Sequence, residues 1–175
     1  MQPSFLRITA ARIFALTFYA LLLASHICAS TASAETQSTE QEQAEKTAVD
    51  HALSDYNDAF GRGDLSAIGQ HCNVPFVRIS EGVKVCPTMS EIEAFYEGVQ
   101  RDLRARGYSH STISELHIKL LDQTTALASG VFVRHKTDGS ELETIGATYT
   151  LRKTEGEWKI AVVMRHPPAN IIRAD

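Results

Sequence analysis

The sequence is short of the motifs that mark many enzymes. It has no CxxC pair, no HExxH, no GxxxxGK[ST] or GxGxxG loop and no GxSxG. Metal-thiolate, zinc-hydrolase, nucleotide-binding and serine-hydrolase chemistry each need those residue types at fixed spacing. Three cysteines in 175 residues exclude a disulfide-dense scaffold. Positive charge is scarce too. The 17 Lys and Arg stand against 21 Asp and Glu, a net −4, whereas nucleic-acid binders are usually basic. No nucleic-acid partner and no cofactor are expected. The length suits one domain with an extra terminal segment.

The first 34 residues form that segment. Arg7 and Arg12 are the only charges before Glu35, the apolar run Ile13–Leu23 follows, and Ala32-Ser33-Ala34 supplies small residues for a cleavage site. Together they read as a secretory signal peptide cut after Ala34. The apolar run falls well short of the about 20 residues a spanning helix needs, and Ile27 before Cys28 does not suit a lipoprotein. The expectation is an exported protein, periplasmic or secreted, with no membrane anchor after cleavage. Loss of two arginines and no acid leaves the remainder at −6.

Residues 35–45 are polar and read as a flexible lead that turns helical near its end. Residues 46–168 carry the pattern of a folded domain, and 169–175 a C-terminal tail. Val49, Ala52, Leu53, Tyr56 and Phe60 recur at helical spacing, with Gly61 as the expected stop and Asp64 as the cap of a short helix over 65–70. Val74–Ile79 and Val83–Cys86 read as a hairpin turning at Glu81-Gly82. Thr88 and Glu91 have capping-box spacing ahead of a helix with the face Met89, Ile92, Phe95, Tyr96, Val99 and Leu103, ended by Gly107. Four strands follow, roughly 112–121, 125–136, 141–153 and 157–166. The order predicts an α+β fold, a curved antiparallel sheet packed against three helices from the N-terminal half.

Alternation along the strands sorts the side chains. Trp158, Ile160, Val162, Met164 and His166 share one parity in the last strand, yet Ala161 and Val163 make the other parity apolar as well. A strand apolar on both faces needs cover on both, which suggests a homodimer through the sheet.

Several residues are candidates for chemistry. His71, His166 and Tyr149 are the catalytic candidates, the histidines because imidazole titrates near neutral pH and the tyrosine because its hydroxyl can orient a ligand oxygen. Tyr96 shares that capacity. Cys72 would need a base and an accessible thiolate to act as a nucleophile. A Cys72–Cys86 disulfide is not favoured. A two-residue turn places Cys86 opposite Val77, leaving Cys72 five residues or about 16 Å away along the strand, against the about 7 Å a disulfide spans. No metal-ligand set is present.

The stretch Tyr56-Asn-Asp-Ala-Phe60-Gly-Arg-Gly-Asp64-Leu and the closing Gly146-Ala-Thr-Tyr-Thr-Leu-Arg-Lys-Thr-Glu-Gly-Glu-Trp158-Lys-Ile160, in this order of elements, resemble the nuclear transport factor 2-like superfamily, specifically its SnoaL-like bacterial branch. The resemblance covers nearly all of 44–166. It implies a cone-shaped sheet, frequent homodimers and a pocket between helices and sheet, to which Tyr56, Phe95, Tyr96, Tyr149, Trp158 and Met164 would contribute. It also implies a carboxylate base inside the cone for isomerase or cyclase activity, and no residue of this sequence fits that role well. The sequence therefore points first to a small, mainly apolar pocket with a small-molecule-binding or accessory role. A lyase or isomerase acting on a cyclic apolar substrate through His and Tyr is the alternative, and a structural dimerisation module the third.

Overall fold

The computed structural model describes residues 37–173. The expected signal peptide lies outside them. Residues 44–173 belong to one compact unit; residues 37–43, in the chain's other unit, are helical. Helix α1 runs over 37–62, so most of the stretch read as a flexible lead is helical. Val49, Leu53, Tyr56, Ala59 and Phe60 form its buried stripe, and each fully buried aliphatic side chain contributes about 1.5–3 kcal/mol. Gly61 does not end it. The chain turns at Gly63, whose φ of +72° suits glycine. Gly63 N–H donates to Phe60 O at 3.1 Å. Asp64 then caps α2 (Leu65–Gln70), its carboxylate accepting from Ala67 N–H at 3.0 Å.

Strands β1 (Cys72–Ile79) and β2 (Val83–Cys86) form the first hairpin. Its loop holds three residues, because Ile79 pairs with Val83 and Phe76 with Cys86. The register is therefore one residue from the sequence expectation. Helix α3 (Met89–Ala105) is capped by Thr88, whose hydroxyl accepts from Glu91 N–H and donates to the Glu91 carboxylate. It buries Ile92, Tyr96, Gln100 and Leu103. Strands β3 (Tyr108–Leu120), β4 (Thr125–Lys136), β5 (Glu141–Thr154) and β6 (Glu157–His166) follow as an antiparallel meander. A short 3-10 turn, Pro168–Asn170, comes after them.

The six strands lie in the order β2-β1-β6-β5-β4-β3. The sheet is mixed, since β1 runs parallel to β6 where a wholly antiparallel sheet was expected. The three helices pack on this curved, unclosed sheet.

Two irregularities decide which side chains face the helices. The pairing of β1 with β6 moves from Cys72↔Ile160 to Val77↔Val162, so β1 bulges between them. Along β5 and β6, Leu151 pairs with Ile160 but Thr150 with Val162, so Ala161 is the extra residue of a bulge. Ile160 is buried with Leu151. Beyond the bulge the inward parity passes to Val163 and Arg165, and Val162, Met164 and His166 face the other way. The single face that the sequence assigns to Trp158 through His166 is thus split in two.

Candidate functional site

An aromatic cluster fills the space between α1, α3 and the inner sheet face. Tyr56 on α1 and Tyr96 on α3 are buried, with hydroxyls 2.8 Å apart. Tyr56 also meets the Tyr149 ring edge-on at 6.2 Å between centroids, and Tyr149 meets Phe132 at 5.7 Å. Such tilted and edge-to-face contacts suit the ring quadrupoles. A cavity of about 60 Å³ opens beside this cluster. One water needs about 10–15 Å³, so roughly four to six waters fit, about the bulk of one substituted ring.

The apolar lining is Phe60, Phe95, Val99, Phe132, Ile145, Ala147 and Val163. The polar lining is Tyr56, Tyr96, Tyr149, Asn57 and Ser111, with three arginines, Arg78, Arg134 and Arg165. Strands β1, β6 and β4 supply the arginines. Arg78 pairs with Val163, Val163 with Tyr149, Ala147 with Arg165, and Arg134 with Ser111 on one side and Glu143 on the other. Asn57 is held by donating its amide to Ser111 O at 2.9 Å.

Glu143 is the counter-ion of this region. It accepts from Arg134 at 2.6 Å, from Arg106 at 3.0 Å and approaches Arg165 at 3.1 Å. Burial pushes its pKa up, but the hydrogen bonds from Arg106 and Arg134 and the charge of Arg165 outweigh that and bring it down to about 2. A carboxylate held so firmly ionised is a weak proton acceptor at neutral pH. Arg78 is different. Its own hydrogen bond is a long 3.4 Å contact to Ile79 O, and among the described residues it has no carboxylate partner. Burial draws its pKa down, yet a guanidinium keeps its proton.

Burial raises all three tyrosine pKa values, those of Tyr56 and Tyr96 well above the usual phenol range. The hydroxyls therefore remain donors and acceptors, not phenolate bases. No hydrogen bond occupies the Tyr149 hydroxyl among the described residues, so it is available to a ligand.

The sequence-predicted residues are distributed as follows. Tyr56, Phe95, Tyr96 and Tyr149 line the cavity; Trp158 and Met164 do not. Trp158 is buried elsewhere, donating its indole N–H to Glu45 at 2.9 Å, and the β6 bulge turns Met164 outward. His71 lines a separate groove with His51, Asp55 and Trp158. His166 lines an adjoining depression with Pro167 and Pro168, which shares Arg78, Ile145 and Arg165 with the cavity. It contacts Thr148 Oγ1 through Nε2 at 2.8 Å and Pro167 O through Nδ1 at 2.9 Å. Neither histidine is brought to the tyrosines. Cys72 and Cys86 are free, buried thiols. Burial, reinforced by Cys86, pushes the Cys72 thiol up to about 12 despite a hydrogen bond from Tyr96, which leaves it a poor nucleophile. Among the described residues no group of three or more His, Cys, Asp or Glu could hold a metal ion.

Sequence reasoning missed the arginines. Each stands two residues after an apolar residue of inward parity: Phe76-x-Arg78, Phe132-x-Arg134 and Val163-x-Arg165. A charged residue continuing an apolar strand face is the signal that was available. The end of α3 supplies further arginine contacts. Arg104 donates to Gly61 O and Tyr108 O, and Arg106 reaches Glu143. Arg101 is solvent-exposed and pairs only loosely with Asp102 at 3.8 Å.

With the fold and cavity in place, comparison with known proteins gives the class. Residues 42–168 match the family described as NTF2-like protein (DUF6841). The chain belongs to this NTF2-like family, and a SnoaL-like member is compatible with that level of assignment. An NTF2-like protein of unknown function from Shewanella oneidensis is 23% identical, with 68% of this chain and 96% of that one covered and a TM-score of 0.56. An NTF2-like protein with a cystatin-like fold from Novosphingobium aromaticivorans is 16% identical, with 73% and 85% covered and a TM-score of 0.61. A third, from the NTF2-like family of Streptomyces avermitilis and provisionally described as a dehydratase, is 16% identical, with 72% and 97% covered and a TM-score of 0.58. At these identities the likeness speaks for the fold alone. No curated protein matches the chain.

Proposed function

We propose that this NTF2-like protein is exported and has a small-molecule-binding or accessory role, its ligand held in the cavity between α1, α3 and the inner sheet face. The observation that carries this reading is the cavity itself: a ring-sized space walled by aromatic side chains, with the Tyr149 hydroxyl open to a partner. Such a concave site, with an aromatic wall and hydroxyl and guanidinium groups converging on it, suits a small-molecule ligand. The lyase or isomerase alternative draws no support from the site. Its histidines lie in other grooves, and Glu143 is fixed as a counter-ion. Export rests on the Arg7/Arg12, Ile13–Leu23 and Ala32-Ser33-Ala34 pattern. N-terminal sequencing of protein from an extracytoplasmic fraction is expected to begin at Glu35.

The outer sheet face supports a second part of the reading, a homodimer. Val77, Val162, Leu127, Met164 and Ile79 lie on it, partly exposed and outside the helix-covered core.

Native mass spectrometry of protein purified from its source tests the binding role. A retained small mass is expected. Its repeated absence, together with no uptake of added aromatic compounds, would overturn the reading.

A further inference from the structure

Resting on the reading of this cavity as a ligand site, we propose that its ligand is a small organic anion. It would carry one carboxylate on an aromatic or compact apolar body, with the carboxylate held by Arg78 and Arg165. Three guanidiniums line the cavity and no Asp or Glu does. The nearby carboxylate of Glu143 is shared among Arg106, Arg134 and Arg165. Arg78 adds a fourth guanidinium and has no acidic partner of its own; Glu81 lines the adjoining depression with Arg78 and Arg165 but forms no ion pair with either among the described residues. Its charge is partly withdrawn from water, since burial is the largest influence on it. A buried charge without a counter-charge is costly, and attraction to an incoming anion is strengthened where water is excluded. The planar fork of arginine fits a carboxylate with two parallel hydrogen bonds. The Tyr149 hydroxyl adds a neutral donor. The rings of Phe95 and Phe132 receive the apolar body, and the volume limits that body to about one ring.

The test uses the full mature chain and three ring compounds of similar size, benzoate, benzyl alcohol and benzylamine, titrated by calorimetry. Benzoate is expected to bind at least tenfold more tightly than benzyl alcohol, and benzylamine more weakly than either. Arg78→Gln breaks no ion pair and is expected to weaken benzoate about tenfold or more, and benzyl alcohol by much less. Arg165→Gln is the second variant should Arg78→Gln fail to fold. Benzyl alcohol binding as tightly as benzoate, or a folded Arg78→Gln protein binding benzoate as well as the parent, would overturn the anion proposal and leave the small-molecule reading standing. If none of the three binds, the mass retained by protein from its source decides. An anionic mass supports the proposal, a neutral or cationic one overturns it, and no retained mass overturns the binding reading and the proposal together.

Discussion

Glu143 sits where four strand and helix ends meet, and its three guanidinium partners make it the most consequential single carboxylate described. Its pKa in the fold, about 2, lies below the 4.5 of the free side chain. A depressed carboxylate contributes stability that is fully present above about pH 4.5 and is lost as the pH falls toward 2. The side chain is 19% exposed, and the contribution is about 3 kcal/mol at most. Urea unfolding between pH 6 and pH 2.5 is expected to show this loss in the parent. In Glu143→Gln it is expected to be smaller, on a baseline lower by about 2 kcal/mol or more from three cations left without their acceptor. Equal pH slopes in the two proteins would refute this role. The buried hydroxyl pair acts on a smaller scale. Tyr56→Phe keeps the ring contacts but removes the 2.8 Å partner of Tyr96, an expected loss of about 1 kcal/mol in the same assay.

Between β4, β5 and the C-terminal segment runs a polar chain that a single substitution can cut. Ile172 N–H donates to Ser129 Oγ at 2.9 Å, Ser129 and Thr148 hydroxyls meet at 2.7 Å, and Thr148 reaches His166 at 2.8 Å. Ser129 and Thr148 are buried, so each needs the other. Thr148→Val is expected to cost about 1–2 kcal/mol and to release the C-terminal residues earlier under limited carboxypeptidase digestion. An unchanged digestion rate would show that the chain does not hold this end. The histidine in this chain illustrates what the sequence did and did not disclose. Strand limits for β2, β4 and β6, and the caps at Asp64 and Thr88, were legible because apolar alternation and capping chemistry are local. Four of the six residues named for the cavity line it for the same reason: each belongs to a local apolar stripe. Met164 and His166 were placed on the wrong side because one extra residue, Ala161, inverts every side chain beyond it. No local composition marks such a bulge. Arg78, Arg134 and Arg165 were overlooked because they converge only once β1 inserts parallel to β6, a pairing between residues 85 to 88 positions apart.

At the scale of the folded unit, the helices cover one face of the sheet and leave the other to account for. Cross-strand pairing sets out that outer face in rows: Val77, Val162, Thr150 and Leu127 in one, Ile79, Met164, Thr148 and Ser129 in the next. The first row is apolar at both ends, and Thr148 and Ser129 of the second are occupied by the C-terminal segment through Ile172. Val77, Val162 and Leu127 are neither fully buried nor fully exposed, a state that a second copy would complete by burying them. A contact symmetric about a two-fold axis would place the same row against itself, so one charge introduced there is met by its own copy. Size-exclusion chromatography with light scattering at micromolar concentration is expected to give twice the mass of one copy. Val162→Glu is expected to return the single mass while retaining the far-UV circular dichroism of the parent. A parent that elutes as one copy at that concentration would remove the dimer, and the outer face would then stand as the solvated side of a single unit.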